Sequence, residues 1–262
     1  MNNRTLEPGQ ARSMIRSGHR FSTTSGISLG YAQANIVILP EDYAADFHRF
    51  CTLNRKACPL LYVSAAGQTE APALGADIDI RTDIAGYRVY RNGKLTEQQH
   101  TIQELWRKDF VTFYIGCSFS FEEALISHGI PLRHVENGSN VSMFNTNVPL
   151  HDAGPFKCNM VVSYRPMRPA DAIRAIQITS DMSQVHGAPV HIGNPSQIGI
   201  DDIRTPDYGD PVDILESEIE VFWACGVSPQ AALTQARLPL AITHSPGQML
   251  ILDTPNWVLR NA

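Results

Sequence analysis

The chain has 262 residues, 43% hydrophobic and 18% charged, an ordinary globular composition sufficient for one large domain or two modest ones. Its net charge of −5 gives no sign of a nucleic-acid surface, and no apolar run is long enough to cross a membrane. Five cysteines, an odd number without C-x-x-C pairs, point to a reduced intracellular setting rather than a disulfide framework.

The first thirty residues carry Arg4, Arg12, Arg16 and Arg20 against Glu7, with many serines and threonines. That is the composition of a transit segment. Ala11, Met14 and Ile15 also form one face of a short helix ending near Gly18, and a docking helix is the preferred reading. Cytoplasmic residence is expected, or an organellar matrix if the segment is a transit peptide.

Residues 30–40, GYAQANIVILP, read as a strand whose Tyr31, Gln33 and Asn35 share one face before an apolar run enters the core. Such a polar face suits a pocket, which makes Asn35 a candidate binding residue, or plain surface. A helix over 42–54 and a buried strand over 59–63 follow. Asp77, Asp79, Arg81 and Asp83 alternate with Ile78, Ile80, Thr82 and Ile84, as in a strand with one charged face. Arg81, flanked by aspartates, has the fixed fork that clamps a substrate carboxylate; the competing reading is a solvated, ion-paired face. Asn92-Gly93 predicts a hairpin. A short helical lead is expected over 101–108.

Residues 110–127, FVTFYIGCSFSFEEALIS, read as buried strand, tight turn and helix. Ser120 and Glu123 have capping-box spacing, Gly129 is a natural C-terminal cap, and Pro131 prevents continuation. Cys117 and Ser118 then sit at a helix N-terminus, where free N–H groups and the positive end of the helix dipole favour a carboxylate or an oxyanion. Residues 221–233, VFWACGVSPQAAL, repeat the pattern. Both copies fit C-[SG]-x-S-x-[EQ]-x-A-L, with Cys117 matching Cys225 and Ser120 matching Ser228. Capping preferences account for the serines but not for a cysteine three residues earlier in each copy. The two cysteine turns are therefore expected to face one pocket, with Ser118, Ser120 and Cys225 as binding residues.

Between the turns, strands over 141–148 and 160–164 and a helix over 170–179, with Ala172, Ile173 and Ile176 inward, read as a small α+β unit. His186 and His191 fall in HGAPVHIGNP, where the Gly187–Pro189 bend can bring them together; a structural role competes with a catalytic one. Strands over 238–243 and 249–252 close the chain. His244 lies at a strand's carboxyl end beside a turn, a common catalytic placement.

The stretches GYAQANIVILP, IRTD with YRVYRNGKL, IGCSFSFEEAL, VHGAPVHIG, FWACGVSPQAAL and AITHSPG together resemble the D-glutamate cyclase-like proteins, long catalogued as hydro-lyases, over about residues 30–253. The resemblance implies an α/β fold with a Rossmann-like layered unit (1–130 and 215–262) and a smaller two-layer α+β unit (131–214). The implied reaction closes D-glutamate to 5-oxo-D-proline with loss of water, an intramolecular attack needing no redox cofactor or ATP, and no metal is assigned to the site. On chemical grounds the cysteine turn with Cys117 holds the reacting carboxyl, Arg81 the other, and His186 or His244 moves protons, with Asn35 and His191 as further contacts. Cys117 as a thiolate nucleophile competes with a non-covalent role in the oxyanion pocket, which is preferred. The rival readings are another carbon–oxygen hydro-lyase acting on a small hydroxy acid, a non-catalytic binder of small acids, and a zinc site between the cysteines and histidines. Neither nucleic acid nor membrane is an expected partner; a small acidic substrate and a homo-oligomer are.

Overall fold

Strand β1 (Tyr31–Pro40) is the axis of the larger sheet, and every residue after Tyr31 is buried. Its even-numbered side chains, Ala32, Ala34, Ile36 and Ile38, enter one core with Phe121, Ala124 and Trp223. Val37 and Leu39 enter a second core, on the other face, with Phe47 and Phe50 of helix α2 (Ala44–Leu53). A strand covered on both faces reads as the continuous apolar run seen here. The computed structural model describes residues 5–260; Arg4 lies outside them.

The larger sheet runs β2 (Leu60–Val63), β5 (Phe110–Gly116), β1, β10 (Ala241–His244), β3 (Tyr87–Arg91) and β4 (Lys94–Gln99), and β11 (Leu250–Pro255) also pairs with β1. The smaller sheet runs β6 (Ser142–Pro149), β7 (Asn159–Met167), β9 (Ile219–Ala224) and β8 (His191–Ile192). Strand β9 thus joins the second sheet, beyond the boundary expected at residue 215. The mixed α/β class expected from the sequence is what the chain adopts. Every named strand pair is antiparallel, so among the described residues the pairing does not carry the Rossmann-like detail, which needs parallel strands. No helix of the described residues is long and apolar enough to cross a membrane.

Helix α1 (Pro8–Arg16) docks through Ala11 and Ile15, as expected. Its arginines are not free basic charge. Arg12, buried, bonds Asp77, Asp253 (2.7 Å) and the Ile251 carbonyl (2.8 Å), and Arg16 bonds Asp83 (2.6 Å). The strand expected over 77–84 does not form. Asp79 accepts from the Arg81 backbone N–H (3.0 Å) and Asp83 accepts from that of Asp79 (2.9 Å), so local side-chain bonds fold the segment into turns. Asn92 and Gly93 make the predicted hairpin, with φ of 51° and 77°. In helix α4 (Pro169–Ser180) the buried stripe is Ala172, Ala175 and Thr179, whereas Ile173 is 60% exposed.

The cysteine turns lead from β5 into α3 (Phe119–Ser127) and from β9 into α5 (Ser228–Ala236). Gly129, at φ 75°, follows α3 as expected. Ser120 and Ser228, however, do not cap. Each lies inside its helix and pins it to a neighbouring strand. Ser120 Oγ accepts from Gln33 N on β1 (2.9 Å), and Ser228 Oγ accepts from Val161 N on β7 (2.9 Å). A strand N–H that would otherwise be orphaned takes the hydroxyl, which outweighs the capping preference. Ser120→Ala and Ser228→Ala should each cost about 1–3 kcal/mol by leaving a buried N–H unpaired, read by urea unfolding. Wild-type stability in either variant would show that its turn is held otherwise.

Candidate active site

The ladder on one edge of β1 is interrupted. β10 pairs at Val37 and Ile38, and β11 at Gln33 and Ala34. Between them residues 245–249 leave the sheet, with Pro246 unable to donate and Gly247 at φ 84°. The Ile36 N–H therefore lacks a strand acceptor, and His244 Nδ1 supplies one at 3.1 Å. An N–H only donates, so Nδ1 accepts and the proton of the neutral ring sits on Nε2. Burial, reinforced by the charge of Arg88, holds His244 down to about 4 despite its bond to Ile36. His244 is 1% exposed and Nε2 has no protein partner.

His244 lines a cavity with Asn35, Cys117, Ser118, Asn140 and Cys225, closed by Phe119, Val141, Met143, Val227, Gly247 and Met249. Its free volume is about 10 Å³, roughly what one water needs. Both cysteine turns meet here, so two helix N-termini border one small, mostly apolar space. Asn35 Nδ2 donates to the Gly116 carbonyl (2.9 Å), and a Cβ on Gly226 would fall 2.0 Å from that Nδ2. Asn35 therefore ties the end of β5 to the second turn. Asn140, which the sequence did not single out, presents a buried Oδ1 without a partner.

Both thiols stay protonated. Burial pushes Cys117 far above its usual value, more than the Phe119 N–H at 3.5 Å lowers it, and pushes Cys225 up to about 11. The thiolate considered for Cys117 is thus disfavoured, because a fully buried sulfur lacks the water that would stabilise its charge.

Behind the first turn lies a buried polar network. Glu122 Oε1 accepts from Arg165 Nη2 (2.6 Å) and pairs with His134 Nε2 (2.8 Å), while Oε2 accepts from Ser25 Oγ (3.0 Å). Burial would raise the Glu122 carboxyl, but His134 and Arg165 outweigh it and hold it at about 2. Arg165 Nη2 also donates to Ser118 Oγ (3.1 Å). The buried glutamate of this turn is Glu122, not the Glu123 of the expected capping box, which does not form; Glu122 stands at the [EQ] position of the repeated motif, and its counterpart Gln230 is also buried, donating to the His244 carbonyl (3.2 Å). The repeat was the available signal for Glu122, and none marked Arg165 or Asn140.

Four expected residues do not line this cavity. Arg81 is held by Asp79 through Nε (2.9 Å) and Nη2 (2.8 Å), so its fork is occupied. His186 is buried with Nδ1 donating to the Lys56 carbonyl (2.8 Å), and burial lowers it to about 4. His191 stands on β8, its Nε2 2.9 Å from the Asn194 carbonyl. Ser120 is committed to β1. Across the Gly187–Pro189 bend the two histidines take separate partners, the Lys56 and Asn194 carbonyls. No group of three or more histidine, cysteine, aspartate or glutamate side chains among the described residues is arranged to hold a metal ion.

Comparison with known proteins matches residues 111–253 to the D-glutamate cyclase family. A Bradyrhizobium diazoefficiens protein is 55% identical over 96% of this chain and 92% of its own length, and a Verminephrobacter eiseniae protein is 58% identical over 94% and 90%. A Rhodopseudomonas palustris protein is 56% identical over 97% and 93%. All three are provisionally named hydro-lyases. Among solved structures, a nitrogen repressor-like protein of Methanococcus jannaschii overlaps 80% of each chain at 10% identity and a TM-score of 0.37, too loose to carry an argument.

His186 and His244 bind fewer protons folded, near 4, than unfolded, at 6.5. Their contribution to stability is therefore complete above 6.5 and declines as the pH falls from there to about 4, by up to about 1.4 kcal/mol per pH unit for each ring. By NMR, neither imidazole should titrate above about pH 5. A midpoint near 6.5 for His244 would mean a solvated ring and remove the neutral Nε2 donor.

Proposed function

Because the chain belongs to the D-glutamate cyclase family, we propose that it is a hydro-lyase that cyclises D-glutamate to 5-oxo-D-proline with loss of water in the cavity around His244. The observation that carries this reading is the convergence of two helix N-termini and one neutral imidazole, its Nε2 without a partner, on a single apolar cavity. The amine attacks the side-chain carboxyl, a C–N bond forms, and a C–O bond breaks. The two protons lost by the nitrogen leave with the departing oxygen as water. A carboxylate resists attack, so the developing oxyanion needs donors in a dry site, and the turns and His244 Nε2–H supply them. Holding the substrate folded supplies the proximity advantage.

His244 serves proton transfer in either direction. With Nδ1 accepting from Ile36 N–H, Nε2 is a donor. In the other tautomer Nδ1–H donates to the Ile36 carbonyl, 3.4 Å away, and Nε2 is free to take a proton. Ile36 presents both backbone groups to the same nitrogen, so the switch needs no ring flip. Admission of the substrate requires the apolar wall to move, since the closed space holds one water. Met143 and Met249 are the adaptable part of that wall.

Purified protein incubated with D-glutamate, L-glutamate and 5-oxoproline, followed by chiral chromatography, should convert D-glutamate alone to 5-oxo-D-proline. No cyclisation, together with deuterium exchange into carbon-bound positions of a hydroxy acid, would establish the rival hydro-lyase reading. Binding of small acids without turnover would establish a binder.

Protonated and buried, Cys117 shapes the pocket and forms no covalent intermediate. Cys117→Ser should keep turnover within about tenfold of wild type, whereas Cys117→Leu fills the cavity and should abolish it. A covalent adduct at Cys117 in trapped wild-type protein, with an inactive but folded Cys117→Ser variant, would overturn this role.

A further inference from the structure

Arg165 belongs to β7 of the second sheet, yet its guanidinium reaches the first cysteine turn. Nη2 donates to Ser118 Oγ (3.1 Å) and Glu122 Oε1 (2.6 Å), and Nη1 donates to Ser163 Oγ on its own strand (2.9 Å). The guanidinium carbon lies 5.2 Å from the ring centre of Phe121 and 5.6 Å from that of Trp223. Arg165 is 1% exposed, so its planar fork is held in one place.

Ser118 is the member of this network that lines the cavity. A hydroxyl that accepts from a guanidinium keeps its own hydrogen to donate. We propose that Arg165 is a positioning residue that holds Ser118 so that its hydroxyl hydrogen meets the oxyanion, making the first turn the one where charge develops. This rests on the cavity being the active site proposed above.

The duplicated turns argue for the asymmetry. In the second, glycine (Gly226) stands where the first has Ser118, and neutral Gln230 where the first has Glu122. Among the described residues, Arg165 hydrogen-bonds residues of the first turn and its helix, Ser118 and Glu122. Glu122 does not need Arg165 for its hydrogen bonds, since His134 and Ser25 also bond it. A buried ion pair is moreover no stability gain over a well-packed apolar replacement. The contact that distinguishes Arg165 is therefore the one to Ser118, one hydrogen bond from the cavity.

The test compares Arg165→Gln/Glu122→Gln with wild-type protein, each with and without Ser118→Ala. Removing both charges avoids leaving Glu122 short of its cation, so that the variant folds. Loss of Arg165 should lower kcat on D-glutamate about 10- to 100-fold with KM changed less than about threefold, and should cost less than about threefold further once Ser118 is alanine. In a crystal structure of the charge-balanced variant, Ser118 Oγ should leave its place on the cavity wall. An equal loss with and without Ser118, or an unmoved Ser118 Oγ, would overturn the proposal. If wild-type protein turns over no D-glutamate, the proposed reaction fails on its own, and the position of Ser118 Oγ still decides the role of Arg165.

Discussion

The backbone N–H of Ile36 has to find an acceptor inside the protein, and the structure around the cavity follows from how it does. A buried N–H without a partner costs as much as a lost hydrogen bond. Residues 245–249 leave the sheet just where β1 needs a neighbour, and His244 repairs the gap with Nδ1. That single bond sets the favoured tautomer and keeps the proton on the ring nitrogen that has no other partner. One residue earlier, Asn35 holds the Gly116 carbonyl and abuts Gly226. The same short piece of β1 thus sets the histidine and both cysteine turns.

Each of the two sheets carries the same device. In each copy a strand ends in a cysteine turn, and a serine in the first helical turn grips the strand beside it. The hydroxyl replaces a ladder partner, so the helix N-terminus cannot shift without orphaning a strand N–H. Rigid placement matters because a dipole acts on developing charge only at short range and with fixed direction.

Charge near the cavity is arranged to cancel. Glu122 is ionised between Arg165 and His134, while the two thiols and His244 are neutral because burial disfavours their charged forms. An anionic group entering the cavity would therefore meet dipoles, N–H donors and one hydroxyl backed by a guanidinium. In a water-excluded space such partial charges act more strongly than in solution.

Local features were readable from the residues alone. The apolar run of β1, the Asn92-Gly93 hairpin, the docking face of α1 and both strand–turn–helix units follow from periodicity and turn chemistry, which act between near neighbours in the chain. The repeated cysteine motif even marked Glu122, and Cys117, Ser118, Cys225, Asn35 and His244 do line one cavity. Arg81 follows its ion-paired reading rather than the clamp, because an aspartate two residues away captures its fork. Arg165 and Asn140 carry no local pattern. Arg165 acquires its place only when β7 packs beside α3, 43 residues from Glu122 in sequence. Which histidine faces the cavity was likewise decided by the break between β10 and β11, since only the assembled sheet leaves Ile36 without an acceptor.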